Sequence, residues 1–256
     1  MNIYEKIFKA RKAFIGYLTA GHGGIYYTVN AAKSLVEAGV DILEIGVPFS
    51  DPIADGPAIQ NAMNSALKRG INIQDVFQII SRIKKFSDLP IVLFSYLNPL
   101  MAFGLEKSCN YAKKSGVDGI LIVDMPIEES TDFFKYCHNY SLQPIGLISP
   151  STEGDRLLQI SSFCNSFLYY VCRNGTTGMQ NSVPDDYAEN MVKIKLVTNK
   201  PVVSGFGIGN KNIAQEILQY ADGFVVGSAF VDAISAGASP NDLYKLALEI
   251  DPRTLI

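Results

Sequence analysis

The sequence predicts a single (β/α)8 barrel, with an extra N-terminal helix, spanning residues 1–256 as one domain. Three observations lead there. Short apolar runs rich in Val, Ile, Leu and Phe alternate with longer amphipathic stretches along the chain. Most of these runs show no in/out alternation, as expected of parallel strands buried on both faces. About eight such strand–helix units follow one another without a Pro/Ser-rich linker, which predicts parallel strands joined by right-handed crossovers. An open doubly wound sheet is the competing arrangement of the same units.

The elements read in order as follows. Asn2–Lys12 forms a helix outside the repeat, capping the barrel floor. Strands fall at Ala13–Thr19, Asp41–Gly46, Ile91–Tyr96, Gly119–Val123, Gln143–Ile148, Phe167–Val171, Val202–Gly205 and Gly223–Val226. Between them lie helical patterns such as Thr28–Ala38, Ile73–Phe86, Leu105–Ser115, Glu128–Tyr140, Asp185–Thr198 and Ile213–Gln219. Asn72 suits an N-cap, and Pro126 with Glu128 and Glu129 suits a first helical turn. Gly39, Gly70 and Gly116 sit where helices should end. An internal echo also runs through the chain: Ala38-Gly39-Val40-Asp41, Ser115-Gly116-Val117-Asp118 and Tyr220-Ala221-Asp222-Gly223 each lead into a strand.

Composition narrows the class. Hydrophobic residues make up 48% of the chain and charged residues 18%, enough apolar material for a large core and too few charges for a disordered chain. A formal net charge of −3 supplies no basic footprint for nucleic acid or an anionic membrane. Any phosphate must then be held by local geometry. Cys109, Cys137, Cys164 and Cys172 form no CxxC pair and read as reduced thiols, not a disulfide frame or metal site. The N-terminus lacks an apolar signal region, and no apolar run is long enough to span a membrane, so the expectation is a soluble cytoplasmic protein.

Two glycine-bearing turns follow the last two strands, Ser204-Gly205-Phe206-Gly207-Ile208-Gly209 and Gly227-Ser228. Glycine lets the backbone approach phosphate oxygens, helix-start N–H groups donate to them, and the Ser228 hydroxyl adds a donor. Gly175-Thr176-Thr177-Gly178, after strand six, could close over the same group. These glycines could equally make tight turns only. The chain has neither the dinucleotide-binding fingerprint nor the P-loop with its Lys.

The most informative stretch is Glu44-Ile45-Gly46-Val47-Pro48-Phe49-Ser50-Asp51-Pro52-Ile53-Ala54-Asp55-Gly56-Pro57. Glu44 interrupts an apolar strand. If Ile45 faces the helices, Glu44 faces the barrel interior, where burial would raise its pKa and let it both give and take a proton. Asp51 and Asp55 lie on a loop stiffened by three prolines. Asp51 reads as a turn residue or brace, Asp55 as a placed carboxylate.

That stretch, continued by Ile59-Gln60, resembles the signature of tryptophan synthase α subunits. The similarity extends through Tyr17-Leu18-Thr19-Ala20-Gly21, Val123-Asp124-Met125-Pro126-Ile127-Glu128-Glu129-Ser130, Gly175-Thr176-Thr177-Gly178, Gly205-Phe206-Gly207-Ile208 and Gly227-Ser228-Ala229, so it covers essentially the whole chain. The resemblance implies retro-aldol cleavage of indole-3-glycerol phosphate to indole and glyceraldehyde 3-phosphate. Glu44 matches the family's general acid/base and Asp55 the carboxylate that binds the indole N–H. Tyr169 matches a tyrosine beside the catalytic Glu. Phosphate would rest on Gly178, Gly207, Gly227 and Ser228. Phe206, Tyr96, Phe94 and Thr177 are candidate substrate contacts, the aromatic ones equally readable as barrel packing.

The resemblance further implies no metal and no cofactor in this chain, and an α2β2 assembly with a pyridoxal-phosphate-dependent β subunit that takes up the indole. Loops Pro48–Asp55 and Arg173–Ser182 would be lids facing that partner. The sequence departs from the family at Gly21-His22-Gly23, where Gly-Asp-Pro is usual, and at Asn174 and Thr176. Other readings are a barrel isomerase or aldolase acting on a sugar phosphate, a catalytically weak chain that activates the β subunit, or a free-standing indole-releasing lyase. No Lys stands at a strand end where a Schiff-base aldolase would need one.

Overall fold

The computed structural model of the chain describes residues 2–172, 182–205 and 207–253. Nine strand segments run in parallel: β1 (Ala13–Thr19), β2 (Ile42–Gly46), β3 (Ile91–Ser95), β4 (Gly119–Ile122), β5 (Gln143–Pro144), β6 (Gly146–Ile148), β7 (Leu168–Val171), β8 (Val202–Gly205) and β9 (Gly223–Val226). Their order in the sheet is β5-β4-β3-β2-β1-β9-β8-β7-β6. The two ends of that order, β5 and β6, are separated in the chain by Ile145 alone. They are two halves of barrel strand five, so the sheet closes on itself and is not the open doubly wound form. The break falls at Ile145, between Pro144 and Gly146, inside the single strand expected at Gln143–Ile148.

The helices are α1 (Ile3–Ala10), α2 (Ile25–Glu37), α3 (Pro57–Lys68), α4 (Ile73–Ile83), α5 (Leu97–Phe103), α6 (Leu105–Ser115), α7 (Thr131–Asn139), α8 (Gly154–Phe163), α9 (Tyr187–Val197), α10 (Lys211–Ile217), α11 (Ser228–Ser235) and α12 (Pro240–Ile250). Asn72 caps α4 as expected, accepting from the N–H groups of Gln74 at 2.8 Å and Asp75 at 3.3 Å. The Pro126 segment forms a short 3-10 turn, Ile127–Glu129, before α7 begins, so it is two elements and not one continuous helix. Gly39, Gly70 and Gly116 have φ values of 92°, 80° and 97°, the left-handed region that ends a helix.

Two packed layers follow from strand alternation. Ile15, Tyr17, Ile42, Val92, Leu121, Phe167, Val203 and Val225 fill the barrel, while Phe14, Leu43, Ile45, Leu93, Ile120 and Phe224 pack outward with the helices. Helix α1 closes the floor: its fully buried Tyr4 meets Phe167 edge-on with ring centroids 5.4 Å apart.

The repeated Asp of the sequence echo also has a physical role. At the start of each following strand, its carboxylate accepts the first N–H groups of the neighbouring strand. Asp41 accepts from Phe14 at 2.8 Å, Asp118 from Ile91 at 3.0 Å and Asp222 from Val202 at 2.8 Å. Each also holds a cation: Asp41 pairs with Arg11 and Arg253, Asp118 with Lys84 at 2.8 Å and Asp222 with Lys195 at 2.9 Å. These braces all lie at the strand starts. The strand ends are left free for chemistry, as in other barrels of this class. Among the described residues, no helix is long and apolar enough to cross a membrane.

Candidate active site

Alternation along β2 sends Ile45 outward and Glu44 inward, where Glu44 is fully buried opposite Tyr17 of β1 and Val92 of β3. Neither of its carboxylate oxygens has a hydrogen-bond partner among the described residues. Burial without a partner penalises the charged form, and it pushes the Glu44 pKa up to about 8. At neutral pH this carboxyl carries a proton.

Asp55 reaches the same interior from the loop after β2 and is also buried. The loop is fastened by the hydroxyl of Tyr96, which follows β3. That oxygen accepts the Ala54 N–H at 3.0 Å and donates to Asp55 Oδ2 at 2.7 Å. The Tyr96 ring packs against Phe49 of the same loop, with centroids 5.2 Å apart. Burial raises the Asp55 pKa, the Tyr96 hydrogen bond opposes it, and the balance lies at about 6. Near pH 7 one acid is therefore mostly protonated and the other mostly ionised, a division that suits proton transfer combined with stabilisation of a cation. Asp51 is exposed on the loop's outer side, as a turn residue should be.

Tyr96 is thus a clasp for Asp55, a role that its sequence position does not reveal. Tyr96→Phe should lower kcat/KM about tenfold, the usual scale for a hydrogen bond to a charged group. It should also move the acid limb of the pH profile upward, because the bond that lowers the Asp55 pKa is gone. An unchanged acid limb would show that the clasp does not act through Asp55.

Phe94 and Tyr169 stand on the barrel interior as expected, both only partly buried, and their rings meet edge-on at 6.4 Å. Two glycines make room for phenols here. A Cβ at Gly46 would collide with the Tyr17 hydroxyl, and one at Gly205 with that of Tyr169. Burial raises both phenol pKa values, and the field of Glu44 and Asp55 adds to it, so both remain proton donors. Tyr17, Val123 and Leu147 line the interior but are absent from the sequence-derived site. Counting alternate positions along each strand from an inward residue would have found them.

Gly207 and Gly227 lie beyond the ends of the paired strands β8 and β9, both partly exposed, and Gly207 has a φ of 62°. Ser228 opens α11 directly after Gly227. Among the described residues no side chain caps this helix N-terminus, which leaves its first N–H groups in the geometry that favours an anion. Phe206, Thr177, Gly178, Asn174, Thr176 and the loop stretch 173–181 lie outside the described residues. His22 is buried, not on a loop surface: its Nε2 lies 3.2 Å from Ser235 Oγ, and burial and nearby Arg69 lower its pKa.

Residues 5–251 match the family model described as tryptophan synthase alpha chain. The chain belongs to the tryptophan synthase alpha chain family. A Coxiella burnetii tryptophan synthase alpha chain is 47% identical over 252 residues, covering 98% of each chain. The crystal structure of the Legionella pneumophila alpha chain superposes with a TM-score of 0.87 at 31% identity, covering 98% of this chain and 96% of that one. A chain of the Pyrococcus furiosus tryptophan synthase complex gives a TM-score of 0.86 at 32% identity, covering 94% of this chain and 98% of that one. This alpha chain family member has the barrel of its structural relatives, with Glu44 and Asp55 converging inside it.

Proposed function

We propose that this chain cleaves indole-3-glycerol phosphate to indole and glyceraldehyde 3-phosphate, and that its natural partner is a tryptophan synthase β subunit. The observation that carries the reading is the unlike pair of carboxyls buried in one barrel interior, Glu44 without a partner among the described residues and Asp55 held by the Tyr96 hydroxyl; burial pushes Glu44 up to about 8 and Asp55 to about 6. Protonated Glu44 donates its proton to the ring carbon that bears the glycerol chain. Ionised Asp55 holds the ring N–H and stabilises the positive charge that then develops on the indolenine. The carbon–carbon bond to the glycerol breaks, and its electrons restore the aromatic indole. The adjacent hydroxyl becomes the aldehyde carbonyl and returns its proton to Glu44. Atoms and protons balance, and neither a metal nor an organic cofactor takes part.

The phosphate rests on Gly207, Gly227 and Ser228 at the α11 N-terminus. Phe94, Tyr169, Val123 and Leu147 supply the apolar walls for the ring. The loop carrying Asp55 presents an exposed Ile53, 77% accessible, which suits burial by a partner. The β subunit brings pyridoxal phosphate and takes up the indole in an α2β2 assembly.

The chain contains no Trp, so every indole ring in a mixture of chain and substrate belongs to substrate or product, which chromatography separates. Slow indole release by the chain alone, strongly stimulated by a β subunit, is the expected result. Fast release without a partner would mark a free-standing lyase. Absence of indole under any condition, with stimulation of the β reaction, would reduce the chain to an activator.

A further inference from the structure

The alternation that turns Tyr169 into the barrel turns Tyr170 outward, into the layer covered by the helices. Its ring is fully buried and lies 6.2 Å, centroid to centroid, from that of Tyr187 at the start of α9. Its hydroxyl is out of water yet completes no hydrogen bond among the described residues. The neighbouring Asn190 amide is bonded to Asp186 Oδ2 at 3.0 Å. Burial raises the Tyr170 pKa to about 12, so the phenol keeps its proton. A buried hydroxyl left unpaired is costly, and a ligand atom that bonds it removes the cost.

Tyr170 lines a cavity of about 320 Å³ between α8 and α9, within the roughly 300–1,000 Å³ range of small-molecule pockets. Leu157 of α8 and Ile194 and Val197 of α9 make its apolar walls. Glu153 and Lys193 line it too and are exposed, so they stand at its rim. None of the residues that converge on Glu44 and Asp55 belongs to this lining.

Helix α8 starts at the same rim. Among the described residues no side chain caps its N-terminus, and a Cβ added at Gly154 would meet nothing within 4 Å. Free N–H groups and Lys193 attract a carboxylate there. Acids stand close by: Glu153 at the N-cap, Asp155 in the first turn and Glu189, which pairs with Lys193 at 2.8 Å. They oppose a simple anion such as phosphate and attract an ammonium group. A ligand that carries both charges satisfies the rim.

We infer that this cavity binds a free α-amino acid whose apolar side chain ends in a hydrogen-bond donor, the chemistry of tyrosine or tryptophan. The ligand's carboxylate meets Lys193 and the α8 N-terminus, and its ammonium meets Glu153. Its side chain lies along Leu157, Ile194 and Val197, and the terminal O–H or N–H reaches the Tyr170 oxygen. The inference is independent of the cleavage reaction proposed above.

Equilibrium dialysis of the native chain against L-tryptophan, L-tyrosine, L-phenylalanine and tyramine tests it. Tryptophan or tyrosine should bind saturably, and phenylalanine about fivefold more weakly or worse, because it leaves the Tyr170 hydroxyl unpaired. Tyr170→Phe should abolish that preference for a polar tip. Lys193→Met, on the exposed face of α9, should weaken amino-acid binding about twofold to fivefold and serves if Tyr170→Phe fails to fold. The inference is overturned if neither tryptophan nor tyrosine binds, or if binding is unchanged by both substitutions. Tyramine binding as tightly as tyrosine would overturn the carboxylate contacts and with them the amino-acid class. Every readout is binding, so these failures leave the cleavage reaction untouched.

Discussion

Glu44→Gln should lose nearly all indole release while gaining stability. General acid–base groups contribute about 10²–10⁴-fold, and the role proposed for Glu44 covers both the protonation and the deprotonation step, so a loss of about 10³-fold in kcat is expected. Gln matches the shape and burial of the native side chain but carries no transferable proton. Retention of more than a tenth of the native rate would remove Glu44 from the mechanism.

The stability gain follows from the pKa. In the unfolded chain Glu44 ionises at its ordinary value of 4.5, and in the fold it keeps its proton up to about 8. Between these values the folded state holds one more proton, so native stability falls by about 1.4 kcal/mol per pH unit. Stability is fully retained below pH 4.5, and the loss levels off above about pH 8. Gln escapes this loss. The variant should therefore exceed the native chain by on the order of 3 kcal/mol at pH 7, with the difference vanishing towards acid pH. Urea unfolding at several pH values reads both, and a difference independent of pH would contradict a buried, protonated Glu44.

The second large effect belongs to the barrel floor. Asp41→Ala should cost about 3 kcal/mol, the combined scale of a buried N–H left without its acceptor and of a weakened buried ion pair. The Asp41 side chain is 4% exposed and that of Arg253 is 12%, so removing the carboxylate leaves Asp251 as the guanidinium's acid partner and the Phe14 N–H without its acceptor. Asp222 makes the same backbone contact, but its partner Lys195 is 39% exposed. Asp222→Ala should cost only about 1–2 kcal/mol, chiefly for the lost N–H acceptor. Thermal unfolding of the two variants side by side tests the distinction, and equal losses would mean that Arg253 burial contributes nothing.

Much of this molecule was legible in its sequence because parallel strands, buried on both faces, leave continuous apolar runs. Glu44 stood out because it breaks such a run, and its neighbour Ile45 indicates by alternation which way it points. Helix α3 was harder to see: its buried face is Ile59, Ala62, Met63 and Ala66, and the two alanines mark an apolar period only weakly. The split at Ile145 has a local signal in Pro144 and Gly146, which weaken a strand, but which neighbour each half pairs with depends on the closed sheet. The Tyr96–Asp55 contact joins residues 41 positions apart, and no local pattern predicts that. The three echoed Asp residues were visible as a repeat, but their acceptor role depends on strand neighbours that only the closed sheet defines.

The Tyr96 hydroxyl binds the loop backbone through Ala54 and the Asp55 carboxylate through its own proton. Loop placement and the proton affinity of Asp55 are thereby a single variable. Displacing the loop weakens the bond that favours the ionised acid, and ionising the acid strengthens the bond that anchors the loop. By thermodynamic reciprocity, a protein that grips this loop from outside and a cationic ring that faces Asp55 from inside assist one another equally. Communication between an outer surface and the reacting centre needs no long relay here, because one oxygen atom belongs to both.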